Sequence, residues 1–166
     1  MANTYIQIGS TVTVGSGGAA NIEFASIPAT YTDLLLFVSA RSSTTNDYYR
    51  ININSSASNF SGLYLGSTGT SVVTGSSSPA FGRMTQSGYT ANTFGNDFWY
   101  LPNYTSSNNK SISVDAVTEN NSSTSYLDFV AGLWSQSAAI TNIKFVPNTG
   151  NFAQYTTATL YGIKKN

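Results

Sequence analysis

A chain of 166 residues is close to the usual size of one domain, and its composition does not shift partway along in a way that would mark a second. Seven basic and seven acidic residues give a net charge of zero and a charged fraction of 8%, against about 25% in ordinary soluble proteins. We therefore expect no nucleic-acid partner and no membrane partner. Histidine and cysteine are both missing from the chain, which excludes thiol nucleophiles, Cys/His zinc sites and Ser-His-Asp triads.

Small neutral residues take the place of charge. Ser, Thr, Asn and Gly together account for 77 of the 166 residues. The chain also carries 11 Tyr, 9 Phe and 2 Trp, and a disordered chain usually lacks such aromatic residues. This combination indicates a folded protein with an uncharged polar surface.

Strand patterns recur along the whole chain. In the segment 48–54, Tyr49, Ile51 and Ile53 alternate with polar residues, which is the period of a strand with one face in water. Alternation and β-branched or aromatic residues predict strands, in chain order, at 5–8, 11–14, 20–25, 33–40, 48–54, 62–66, 70–74, 79–85, 94–101, 111–116, 127–134, 139–146 and 155–163. Turn compositions rich in Gly, Ser and Asn separate them. We predict an all-β, single-domain antiparallel β-sandwich that is jelly-roll-like.

Three of these segments carry more specific expectations. The apolar run Leu34–Val38 lacks alternation, as in a strand covered on both faces, either in the middle of a sandwich or under an oligomer partner. The segment 127–134 alternates in a way that predicts Asp128 on its wet face. The segment 155–163 has apolar or β-branched residues in both rows, which predicts cover on both sides.

Residues 1–19 are predicted to form an arm or hairpin ahead of a β-sandwich domain at 20–166. Its two short strands are followed by the flexible stretch Gly15–Gly18 and could add to the sheet of a neighbouring molecule. The candidate anchor residues are Tyr5, Ile6, Ile8, Val12 and Val14.

Without histidine, the remaining route to hydrolytic chemistry is a pair of carboxylates of the glycosidase type. Asp115 and Asp128 lie on adjacent predicted strands and could approach each other, although exposed carboxylates on a sandwich are ordinarily only solvated. Calcium needs oxygen ligands alone, but the pairs at 46–47 and 96–97 match turns better than a calcium loop. We predict no catalytic residue, no cofactor and no metal, and hence no enzyme.

Aromatic side chains beside polar loops could stack on sugar rings. The candidate partner or glycan contacts are Tyr48, Tyr100, Tyr104 and Trp134. Trp134 ends an alternating strand, which equally fits a core residue or an interface anchor. Both interpretations are open from the sequence.

Three segments, Phe24–Leu34, Leu101–Ser111 and Ala158–Ile163, together resemble a family of small structural proteins of tailed bacteriophages, abundant among phages of marine bacteria and cyanobacteria. The similarity runs from about Tyr5 to Lys164. It implies a component of the virion, made in the host cytoplasm and assembled on the particle, and leaves head or tail open.

The resemblance and the neutral composition lead to two expectations for function. The first is a capsid decoration, cement or head-fibre subunit, a homotrimer that binds the phage major capsid protein or another virion protein. The alternative is a receptor-binding module of a tail fibre or tail tip that grips host-surface glycan.

Overall fold

The computed structural model describes residues 4–121 and 124–164, and within these ranges it contains thirteen β-strands and no helix. The strands are β1 (Tyr5–Gln7), β2 (Val12–Thr13), β3 (Ile22–Phe24), β4 (Asp33–Ala40), β5 (Tyr48–Ile53), β6 (Phe60–Ser67), β7 (Val72–Ser76), β8 (Phe81–Arg83), β9 (Gly95–Leu101), β10 (Lys110–Thr118), β11 (Tyr126–Trp134), β12 (Ile143–Pro147) and β13 (Thr157–Ile163). Each overlaps a predicted strand, and the all-β class is confirmed.

The strands form two antiparallel sheets. The large sheet has nine strands in the order β1-β13-β4-β9-β10-β11-β6-β7, with β2 also paired to β13. The small sheet has the order β3-β12-β5-β8. This is the predicted antiparallel sandwich arrangement of two sheets, while the jelly-roll connectivity stays a prediction.

The core lies between the two sheets. Trp99 of the large sheet packs on Phe145 and Tyr49 of the small sheet, with ring centroids 4.9 and 5.9 Å from its own, and all three side chains are fully buried. Aromatic rings in such contacts bury large apolar areas and hold each other in preferred orientations. They therefore set the spacing of the sheets at the centre of the molecule.

The run at the start of β4 is only partly covered on its second face. Leu34, Leu36 and Val38 point into the core, and Leu35 is buried on the opposite face, whereas Phe37 on that face is 47% exposed. Within a single chain, the second face of this strand is therefore covered at Leu35, as expected, but not at Phe37.

The orientation of β11 differs from the sequence prediction. Asp128 is 1% exposed and points into the sandwich together with Val130 and Trp134, while Phe129 is 60% exposed. The prediction that Asp128 faces water is wrong, because Arg83 of the small sheet forms an ion pair with its carboxylate inside the molecule. A buried charge is tolerated when it is paired in this way.

The segment predicted as an N-terminal arm is built into the large sheet wherever it is described. Strands β1 and β2 both pair with β13, and Val14 lies in the core. Ile8 and Val12 pack against that core, while Tyr5 is exposed and Ile6 is half-buried. The first three residues of the predicted arm lie outside the described residues, as do 122–123 and 165–166 of the predicted domain. The anchor role of the segment stays a prediction.

The three segments that carry the phage resemblance meet at one end of the sandwich. The Tyr104 hydroxyl donates a hydrogen bond to the Pro28 carbonyl, and the main-chain amide of Asn103 donates to Asp33 at 2.8 Å. The ring of Tyr31 lies against Gly162, so close that a Cβ there would fall 2.2 Å from the ring. These three segments therefore hold one another in place at this end of the sandwich.

Candidate interaction surface

One face of the large sheet points away from the small sheet, and we call it the outward face. Because side chains alternate along a strand, strand pairing identifies its members. One row across the sheet runs Thr159, Phe37, Phe98, Asp115, Phe129, Leu65 and Thr74, and the next runs Tyr161, Leu35, Tyr100, Ser113, Ala131, Leu63 and Ser76.

Exposed apolar side chains are concentrated on this face. Of the nine large hydrophobic side chains that are exposed within residues 4–121 and 124–164, eight belong to the outward face and the ninth is Tyr155. The eight are Tyr5, Phe37, Leu63, Leu65, Val72, Val117, Leu127 and Phe129, between 37% and 77% exposed. Together they offer roughly 800 Å² of apolar surface, about what one partner contributes to a standard protein interface.

The outward face has two apolar flanks separated by a polar centre. The β4 flank comprises Tyr5, Leu35, Phe37, Phe98 and Tyr161, and the β11 flank comprises Leu63, Leu65, Val72, Val117, Leu127, Phe129 and Ala131. Between them lie Tyr100, Ser113 and Asp115 on β9 and β10. Among the described strand residues on the outward face of the large sheet, only Asp33 and Asp115 carry a charge.

Each flank contains a shallow depression. Leu63, Leu65 and Phe129 border an open groove of about 610 Å³, which is floored by the small side chains of Ser113 and Ala131. On the other flank, Leu35, Phe37, Phe98, Tyr161 and Tyr5 line a depression of about 250 Å³. Phe37 packs there on Phe98 and Tyr161, with ring centroids 5.3 and 5.8 Å apart. The face is therefore shaped to receive protruding apolar side chains.

A buried polar chain lies on the inner side of the same strands. The Trp99 indole donates to the Tyr49 hydroxyl at 3.1 Å, and that hydroxyl donates to the Asp97 carboxylate at 2.5 Å. Burial raises the pKa of Asp97 well above its usual value, and the bond from Tyr49 opposes this only in part. Burial also raises the pKa of Tyr49.

The raised pKa of Asp97 predicts how stability depends on pH. Since the folded state binds this proton more tightly than the unfolded state, the free energy of unfolding is highest below the unfolded value of 3.8 and falls as pH rises through the raised folded value. We expect Asp97→Asn to remove this decline, whose slope is at most roughly 1.4 kcal/mol per pH unit.

Urea unfolding of both proteins between about pH 4 and pH 8 measures the two curves. Glu23 and Glu119, whose pKa values are lowered, act in the opposite direction in both proteins, so the difference between the curves isolates Asp97. Parallel curves would contradict the assignment.

The second buried group is an ion pair between the sheets. Arg83 on β8 donates through Nε to the buried carboxylate of Asp128 on β11, and its Nη1 lies 3.2 Å from Asp47. The guanidinium also lies over the rings of Tyr126 and Phe81, at 4.0 and 5.2 Å from their centroids. Arg83 therefore joins the edge of the small sheet to the large sheet.

The predicted aromatic contacts fall into two groups. Tyr104 and Trp134 are buried, at 0% and 3% exposure, so neither presents a ring face to a ligand. Tyr100 is half-buried in the polar centre of the outward face, where its hydroxyl donates to Asp33 at 3.0 Å. Tyr48 is half-buried elsewhere, on the small sheet.

Tyr48 lies in a polar cleft of about 310 Å³. Asp47, Arg50 and Arg83 line the cleft with it, together with serines 76–78. The Arg50 guanidinium lies 5.5 Å from the centre of the Tyr48 ring. A carboxylate, two guanidinium groups, hydroxyls and a ring in one cleft can form hydrogen bonds and stacking contacts with a sugar.

The two carboxylates weighed as a catalytic pair do not meet. Asp115 points outward opposite Phe129, whereas Asp128 points inward opposite Ala116, so the sheet itself lies between them. The expectation that they could approach each other is wrong. Side chains alternate between the two faces of a sheet, and the pairing of β10 with β11 places these two carboxylates on opposite faces. In the described part of the chain, no group of three or more acidic residues is arranged to hold a metal ion.

Sequence inspection missed the outward face, although one signal of it was present. Both rows of β11 contain large apolar side chains, with Leu127 and Phe129 in one row and Val130 and Trp134 in the other, beside Asp128. A strand that is apolar in both rows is typical of cover on both faces.

Within the described residues, no helix is long and apolar enough to cross a membrane. Comparison with known protein-family models, curated proteins and solved structures finds no match to this chain.

Proposed function

We propose that the chain is a non-enzymatic structural protein of a bacteriophage virion, a capsid decoration, cement or head-fibre subunit. One observation carries the proposal in the structure: eight of the nine exposed large hydrophobic side chains in the described residues share one nearly uncharged sheet face. Exposed apolar side chains collected on one sheet face mark an interaction surface. The resemblance of three segments to phage structural proteins supplies the class of particle.

Attachment in this proposal works by burial of neutral surface. Apolar side chains supply the contact area, and Ser, Thr and Asn hydroxyls and amides supply hydrogen bonds around it. The partners are copies of the chain itself, as a homotrimer, and the major capsid protein or another virion protein. A nearly uncharged contact gains little from Coulomb attraction, so salt should not weaken it.

The test is retention on purified phage particles. We expect hundreds of copies per particle by quantitative mass spectrometry, and the same number after a wash in about 1 M NaCl, where the Debye length is only about 3 Å. Release by that wash would refute attachment through neutral surface. Absence from purified particles would refute the virion role.

The cleft around Tyr48 favours a second candidate, a glycan-binding module of a tail fibre or tail tip. Its mixture of hydrogen-bonding groups and an aromatic ring suits a sugar of the host surface. A copy number of a few tens or fewer, with glycan-array binding that is lost in Tyr48→Ala and kept in Tyr155→Ala, would select this candidate over the capsid role.

A further inference from the structure

We propose that the outward face is the surface through which copies of this chain associate, so that the outward face of one copy packs on the outward face of the next. The inference rests on the proposed function, because it assigns a surface to the self-association of a particle protein made in many copies. Two sheets that pack face to face with interdigitated side chains are the same arrangement as the two halves of a sandwich.

The area of the face suits a stable contact between two protein surfaces. The exposed side chains of the two flanks together offer roughly 800 Å² per copy, about what one partner contributes to a standard interface. The two depressions and the protruding Phe37 and Phe129 rings give the face the relief that close packing needs.

Charge points to a copy of the chain rather than to a partner of opposite charge. Asp33 and Asp115 are the charged strand residues on the outward face within the described residues, and Asp33 already accepts hydrogen bonds from Tyr100 and Asn103. A basic or acidic partner would therefore find almost nothing to pair with. A second outward face is complementary, because it is equally apolar and neutral.

The net charge of the chain gives a second argument for association. A protein with zero net charge has no long-range repulsion between molecules, so an open apolar face would promote precipitation. Closed symmetric association buries such a face before the chain binds to a capsid. Attachment to the capsid then uses surfaces that this contact leaves free, among them the main-chain groups of the edge strand β1.

The polar centre of the face favours three copies over two. A two-fold axis through the centre would bring two Asp115 carboxylates together inside an apolar contact, and desolvated like charges are costly. In a ring of three copies, the flanks of one copy contact the flanks of its neighbours. The polar centre then lies beside the three-fold axis, where the Asp115 carboxylate stays hydrated. Both arrangements bury Phe129.

Light scattering coupled to size exclusion tests the inference on the full chain. We expect about three times the chain mass of 17.6 kDa for the natural protein and a single chain mass for Phe129→Asp, which places a charge in the contact. The matched control is Tyr155→Asp, the same change at the exposed aromatic residue that lies off the face, and it should remain associated. The backbone at Tyr155 has a positive φ of 70°, a conformation that aspartate adopts more readily than most residues.

Each outcome decides between the two proposals. A natural chain that is a monomer at micromolar concentration overturns the inference, and if Phe129→Asp then loses particle binding, another virion protein covers the face. A stable oligomer that Phe129→Asp leaves intact also overturns it. A dimer broken by Phe129→Asp supports the inference and overturns the trimer. An oligomer that never occurs on particles refutes the virion role alone.

Thiol labelling locates the contact without relying on dissociation. Because the chain has no cysteine, a single one can be introduced at Phe129 or at Tyr155. We expect Phe129→Cys to react several-fold more slowly at high protein concentration than after dilution, and Tyr155→Cys to react at one rate under both conditions. Circular dichroism confirms that each variant is folded. Labelling of Phe129→Cys at high protein concentration as fast as that of the exposed Tyr155→Cys would overturn the inference.

Discussion

Arg83→Met should lower the free energy of unfolding by about 3–5 kcal/mol, a large part of the 5–15 kcal/mol typical of a domain. The methionine keeps much of the side-chain volume, but it leaves the carboxylate of Asp128 buried without its partner. It also removes the guanidinium from the ring of Tyr126. Urea unfolding followed by circular dichroism measures the loss.

A matched substitution and a double variant separate the ion pair from other effects. Arg50→Met removes an exposed arginine from the neighbouring strand β5 and should change stability by no more than about 0.5 kcal/mol. Adding Asp128→Asn to Arg83→Met should recover part of the loss, because no buried charge is then left alone. An Arg83→Met protein as stable as Arg50→Met would show that the ion pair contributes nothing.

The ion pair also bears on the candidate interaction surface. Asp128 and Phe129 are adjacent on β11, and a shift of one residue in strand pairing would exchange their faces. Since Arg83 can meet Asp128 only on the inner face, the pair stabilises the register that presents Phe129 outward. The same relation holds on β9 for buried Asp97 and outward Phe98. The buried polar groups thus help to define the outward face.

Tyr49→Phe should cost about 2–5 kcal/mol, although it removes a single oxygen atom. The hydroxyl accepts from the Trp99 indole and donates to Asp97, and all three residues are buried. Its loss leaves two buried polar groups without this partner, and each such group costs about 1–3 kcal/mol. Thermal and urea unfolding give the change in stability.

The adjacent residue supplies the control. Tyr48→Phe removes a hydroxyl from a half-buried ring at the neighbouring position of β5 and should stay within about 0.5 kcal/mol of the natural chain. Tyr49→Phe should also extend the decline of stability to higher pH, because the bond from Tyr49 holds down the pKa of Asp97. Equal losses in the two variants would contradict the role of the buried hydroxyl.

Local sequence patterns are sufficient to assign the all-β class, the approximate places of the strands and the inner rows of β5 and β10. Residues such as Ile51 and Val114 alternate with polar neighbours, and this local pattern is enough to assign a strand and its buried side. Composition likewise determined the neutral surface, because residue counts do not depend on folding.

Three features depend on the packing of the two sheets: the buried face of β11, the core positions of Tyr104 and Trp134, and the collection of exposed apolar side chains on one sheet face. Each of these depends on residues far apart in the chain: Asp128 needs Arg83, and Tyr104 needs Pro28. Local alternation carries no information about such partners. The packing of the two sheets therefore decides whether an individual charged or aromatic residue is buried. It also decides where the candidate surface lies.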